Sequence, residues 1–182
     1  MTFAQQQQSF LPQFLQVDLF PMGEPVVERH GPCAALYRQT IPLLIAQYVQ
    51  TGKVKLLHRD FPLPQHPYAR LAARCANASG RLGYYDLVVN QLFQTQSSWS
   101  GDGSIDAQVA QVLAPGVLQK VRNPVRNDGT LDDTVTADVA MAMKDGIRQT
   151  PTIVVVSKGK RQAIASVPDF DLLKTYLDQL LR

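Results

Sequence analysis

The run TPTIVVVSKGKRQAIAS, residues 150–166, constrains the fold of this chain more than any other stretch. Ile153 to Val156 form a continuous β-branched series, Lys158-Gly159 suits a tight reversal, and the residues after it alternate, so the spacing predicts a β-hairpin. PDFDLLKTYLDQLLR then closes the sequence as an amphipathic helix, with Pro168 near its start and Phe170, Leu173, Tyr176, Leu177 and Leu180 on one side. Strand periodicity late in a chain that is otherwise mostly helical in period places it in the α/β class.

Upstream, residues 1–24 carry a Gln run, Pro12 and Pro21 and hold no sustained period, so they are expected to be a leader that adds little core. Val26-Val27 is the first candidate strand. Gly31-Pro32 turns the chain into a helix through Tyr37, Ile41, Leu44, Ile45 and Tyr48, which Pro42 should kink and Thr51-Gly52 should end. KVKLLH, residues 53–58, reads as a strand with Val54, Leu56 and His58 on one face, followed by a proline-punctuated loop. Helices are predicted over 67–79, 82–96 and 104–113, the last capped by Ser104. Residues 115–130 read as a Pro/Gly/Asn-rich connection with some helical turns, and a further helix starts at Thr130 or Asp132 and stops at Gly146.

The length of 182 residues suits a single core. An apolar share of 45% with 18% charged residues excludes general disorder, and a net charge of +3 from scattered Lys and Arg argues against nucleic acid as a partner. No uninterrupted apolar run reaches the ~18–20 residues needed to span a bilayer, so no membrane partner is expected. The N-terminus lacks a basic n-region, and a cytoplasmic chain is expected as the sequence is written. No cofactor is implied.

The chemistry centres on ERHGPCAALYRQ, residues 28–39, where His30 and Cys33 stand three apart at a strand-to-helix turn. The imidazole could serve as base to the thiol, although no third orienting group is identifiable. His30, Cys33, His58 and His66 make a poor metal set, and none is expected. Cys75 is expected to be a buried thiol. Asp60 in RDFPL reads as a loop carboxylate paired with Arg59 or capping a turn. Trp99, Tyr84 and Tyr85 read as core, and Lys158 to Arg161 as a solvated hairpin tip.

In order and spacing, TGKVKLLHRDFPL at 51–63, HPYARLAARCA at 66–76, LFQTQSSW at 92–99 and GIRQTPTIVVV at 146–156 make the chain resemble the DsbA-like branch of the thioredoxin superfamily. The resemblance runs from about residue 26 to the C-terminus. It implies a thioredoxin-like fold with an inserted helical domain over about 64–145, within a domain spanning 25–182. Counted against the family's C-x-x-C, Cys33 falls on the resolving cysteine and His30 on the nucleophile, so the motif reads H-G-P-C. Thr150-Pro151 matches the family's cis-Pro position, which offers backbone hydrogen bonds to an extended substrate.

The resemblance thus implies a thiol:disulfide oxidoreductase class protein impaired in dithiol exchange, with an extended peptide or thiol-containing protein, or glutathione, as partner. The alternative is a non-catalytic peptide-binding module that keeps the cis-Pro groove. Relatives of this kind work outside the cytoplasm, where disulfides persist. That location is the expectation if residues 1–30 are not the native start.

Overall fold

The computed structural model describes residues 15–20, 32–166 and 168–182. Its centre is a four-stranded sheet of order β2-β1-β3-β4, built from β1 (Leu15–Phe20), β2 (Val54–His58), β3 (Thr152–Ser157) and β4 (Lys160–Ala165). β1 and β2 run parallel, whereas β3 is antiparallel to β1 and to β4. Lys158 (φ 48°) and Gly159 (φ 76°) make the tight β3–β4 turn, so the hairpin forms where the sequence places it.

β1 corrects the reading of the N-terminal region. Leu15 and Val17 are buried core residues of an interior strand, although LQVDLF lies within the stretch expected to contribute little core. A six-residue strand flanked by Pro and Gln gives too short an alternation to stand out; the partners β2 and β3 give it its place. The expected strand at Val26-Val27 lies outside the described residues.

Side-chain alternation gives the sheet two differently used faces. Leu15 and Val17 of β1, Val54 of β2, and Ile153 and Val155 of β3 pack with Leu36, Leu44, Tyr48, Leu173 and Leu177. These partners come from the first helical segment and from α9 (Phe170–Leu180), whose Asp169 caps it by accepting from the N–H groups of Asp171 and Leu172. On the other face Val154 packs with Phe61, Ala142 and Ile147.

The first helical segment runs through α1 (Pro32–Ala35), a π turn at Leu36–Thr40, α2 (Ile41–Leu44) and a second π turn at Ile45–Val49. The wide turn before Ile41 closes on a bond from the Ile41 N–H to the Leu36 carbonyl. Pro42 enters at the start of α2, where its missing donor disturbs least.

The chain between β2 and β3 is helical: α3 (Ala69–Gly80), α4 (Tyr85–Gln94), α5 (Gln96–Trp99), α6 (Ile105–Val109), α7 (Pro115–Asn127) and α8 (Thr130–Lys144). Their apolar faces share one core that includes Ala72, Ala76, Val88, Phe93, Val121 and Val135. α7 replaces the expected connection at 115–130. Val117, Leu118, Val121 and Val125 recur at helical spacing and pack on this core, and Pro115 sits at the helix start, so the Pro and Gly content did not break the helix. Two caps also differ from expectation. Ser104 makes no side-chain cap and donates instead to the Ser98 carbonyl (2.9 Å), while Asp128 accepts from the Thr130 N–H (2.8 Å) at the start of α8. Among the described residues no helix is long and apolar enough to cross a membrane.

Candidate functional site

Strand direction brings three strand ends together with the Thr150-Pro151 entry to β3. Leu19 is level with His58 at the end of β2, and Phe20 with Thr152 at the start of β3. The end of β1, the exit of β2 and the Thr150-Pro151 entry to β3 therefore share an edge. The Thr150–Pro151 peptide bond is cis. Both residues are buried, and the Pro151 carbonyl accepts from the Ser166 N–H (3.0 Å) just beyond β4. The Thr150 Oγ1 is buried and forms no hydrogen bond.

Cys33 is the second residue of α1 and has 0% exposure. It belongs to the core of the helical region, alongside Ala72, Ala73 and Ala76 of α3 and Val88, Val89 and Phe93 of α4. Cys75 lies in the same core on α3, and the two thiols are not joined in a disulfide. Burial pushes the Cys75 thiol up to about 12, so it remains protonated at neutral pH, as expected of a buried cysteine. His30 lies outside the described residues.

Four residues beyond Cys33, Tyr37 joins the first helix to both cores. Its ring stacks on Phe93 (centroids 4.1 Å apart), and its hydroxyl is hydrogen-bonded to the Nδ1 of His58 at the end of β2. The His58 ring in turn meets Tyr85 edge-on at 5.2 Å. Desolvation lowers the His58 imidazole to about 3, which leaves it neutral. Burial, with the carboxylates of Asp86 and Asp60 adding, holds the Tyr37 phenol well above its ordinary value.

Asp60 departs from its expected role. It is 2% exposed, its Oδ2 accepts from Asn77 Nδ2 of α3 (2.6 Å), and its Oδ1 is buried with no hydrogen bond. Burial raises its carboxyl to about 6 against the opposing effect of the Asn77 bond. Its expected partner Arg59 turns instead to Asp138 of α8 (3.1 Å) and Asp18 of β1 (3.7 Å). Asp18, fully buried on the sheet face opposite Leu15 and Val17, also pairs with Arg161 (2.8 Å), which holds Asp145 as well (2.6 Å). Arg161 is exposed, as expected at a hairpin tip, and its guanidinium is in addition held by both carboxylates. It completes a run of five alternating charges from Asp145 to Asp138.

Trp99 is core, its Nε1 donating to the Leu92 carbonyl (2.8 Å), while Tyr84 is exposed and Tyr85 half-buried. No group of three or more metal-ligating side chains occurs among the described residues. Sequence reasoning missed Tyr37, His58, Asn77 and Asp138 as a set. The available signals were the i to i+4 spacing of Cys33 and Tyr37 and the placement of His58 on the apolar face of its strand.

The arrangement holds a buried thiol one helical turn before the Tyr37 phenol, which in turn is bonded to a neutral imidazole. The fold matches Wolbachia pipientis alpha-DsbA1 with a TM-score of 0.70 at 19% identity, covering 92% of this chain and 85% of that one. It matches oxidised BdbD from Bacillus subtilis with a TM-score of 0.70 at 19% identity, covering 92% and 87%. Pseudomonas aeruginosa DsbA2 follows with a TM-score of 0.63 at 18% identity, covering 93% and 90%. A comparison with curated protein sequences finds no match. The model of the thioredoxin family matches residues 31–178, which reaches from the start of the Cys33 helix into α9, and the chain belongs to that family, in the fold of its DsbA-type members.

Proposed function

We propose that this protein is a DsbA-like member of the thiol:disulfide oxidoreductase class in which dithiol exchange is impaired, His30 standing where the resemblance puts the nucleophilic cysteine. The supporting observation is the state of its two cysteines: Cys33 is 0% and Cys75 7% exposed, and they form no disulfide. In dithiol exchange an outer thiolate attacks a disulfide sulfur, expelling one thiolate and forming a mixed disulfide; an inner thiolate then attacks that bond and releases the second. A lone thiol stops at the mixed disulfide. Cys33, inside the helix start and buried in the core it shares with residues of α3 and α4, takes the part of the inner thiol under this reading. Substrates under this reading are extended peptides or thiol-containing proteins, with glutathione as the small thiol. A setting where disulfides persist follows from that chemistry.

Insulin reduction, run on the parent chain and on His30→Cys, tests the reading. Activity that emerges only in the variant supports it, and turnover by the parent chain overturns it. The second reading is a peptide-binding module using the Thr150-Pro151 edge, favoured by the convergence of three strand ends there. Peptide binding by the parent chain with no exchange in either protein selects that reading.

A further inference from the structure

β4 closes one side of the sheet, with β3 as its one partner strand among the described residues. Five of its six residues, Lys160 to Ala163 and Ala165, are exposed, whereas β2 on the opposite side is exposed at Lys55 alone. The register decides which backbone groups of β4 are free. Ser157 and Lys160 face each other across the tight turn, and the Ser166 N–H reaches the Pro151 carbonyl (3.0 Å), so Lys160, Gln162 and Ile164 turn their N–H and C=O groups to β3. Arg161, Ala163 and Ala165 alternate with them and turn theirs off the sheet. The Ala163 carbonyl there accepts from the neighbouring Gln162 side chain at a long 3.4 Å. Charge around this edge is one-sided. From Lys144 to Ala165 the sequence carries five cations, Lys144, Arg148, Lys158, Lys160 and Arg161, against the single acid Asp145, a surplus of four in a chain of net charge +3. Asp145 is bonded to Arg161 (2.6 Å), and the buried Asp18 is shared by Arg161 and Arg59, while Lys158 and Lys160 stand exposed.

We propose that the free edge of β4 is a docking site for an extended acidic segment of a partner protein, which adds to the sheet as a further strand. The outward N–H and C=O groups of Arg161, Ala163 and Ala165 span about 13 Å, enough to pair with a stretch of about five residues. Side chains of the incoming strand that share a face with Ala163 and Ala165 meet small neighbours. Those on the face of Lys160 and Gln162 meet a cation and an amide, so a segment that alternates apolar and acidic residues fits. The same cations argue against a second copy of this chain as the occupant. Pairing β4 with β4 sets two positively charged stretches side by side, and charged residues on an edge strand are a general guard against such pairing. An acidic strand meets attraction where a copy meets repulsion. The site uses neither Cys33 nor its exchange chemistry, so it stands whether or not exchange is impaired.

The test is NMR of the isotope-labelled full chain titrated with a capped peptide of sequence Thr-Glu-Val-Glu-Val-Glu-Thr, beside its Lys-for-Glu counterpart. The acidic peptide should give saturable shifts centred on the Arg161, Ala163 and Ala165 amides, with a Kd of about 1 mM or tighter at low salt. Exchange of those amides should slow about fivefold at ~5 mM peptide. The Lys-bearing peptide should leave them unmoved. Lys160→Glu should weaken binding about threefold or more. Ala163→Pro removes an outward N–H and no β3–β4 bond, and should weaken it about fivefold. No change at β4 with ~5 mM of the acidic peptide overturns the proposal. So does equal binding of the two peptides, unchanged binding by Lys160→Glu, or protection of the Ala163 and Ala165 amides in the peptide-free chain. Inorganic polyphosphate that slows exchange of these amides equally also overturns it, since charge alone would then be read without strand pairing. If Ala163→Pro does not fold, Lys160→Glu and the exchange measured on the parent chain decide the matter.

Discussion

Asp18→Asn should cost about 2 kcal/mol of folding stability, a figure built from the contacts it breaks. The Asp18 carboxylate is fully buried, at 2.8 Å from Arg161 Nη2, 3.7 Å from Arg59 Nε and 2.6 Å from Gln16 Nε2. Removing one partner of a buried ion pair ordinarily costs ~3–5 kcal/mol, because the other charge is left uncompensated. Here neither arginine is stranded: Arg161 keeps Asp145 at 2.6 Å and Arg59 keeps Asp138 at 3.1 Å, and their side chains are 32% and 22% exposed. Water and the remaining carboxylates screen the loss and reduce it to roughly half. The pair also ties β1 to β4 across the intervening β3, so the loss should appear in global unfolding. Urea denaturation should show a lower midpoint at unchanged slope. A double-mutant cycle with Arg161→Gln should give a coupling of ~1 kcal/mol or more. A loss below ~0.5 kcal/mol for Asp18→Asn, or no coupling to Arg161, would refute the reasoning, since surface pairs behave in that way.

Tyr37→Phe keeps the stack on Phe93 but strips the hydroxyl from His58 Nδ1, and should cost ~1–3 kcal/mol in chemical denaturation because the ring nitrogen loses its partner. Gly103→Ala should lower stability by about 2 kcal/mol or more in thermal melts, because its φ of +75° disfavours an L-residue and its Cβ would stand 2.6 Å from the Tyr68 ring. Gly101→Ala, where a Cβ meets nothing within 4 Å, is the control expected to change little.

The sequence by itself determined what depends on local period and turn chemistry. The β3–β4 hairpin follows from a β-branched run and a Lys-Gly turn, and α9 from an apolar stripe behind Pro168. The order of the remaining motifs was enough for the family and its fold. Tertiary structure decided what needs partners distant in sequence. LQVDLF becomes the interior strand β1 because β2 and β3 offer it hydrogen bonds on both sides, and α7 forms over its proline because the helical core takes up Leu118 and Val121. The same holds for the charges. Asp18 and Arg161 are 143 residues apart, and Asp60 and Asp138 are 78 apart, so no spacing rule connects them. Burial also set what the polar groups can do: His58 is neutral and Asp60 half-satisfied because folding removed water from around them, a property that residue type alone does not carry.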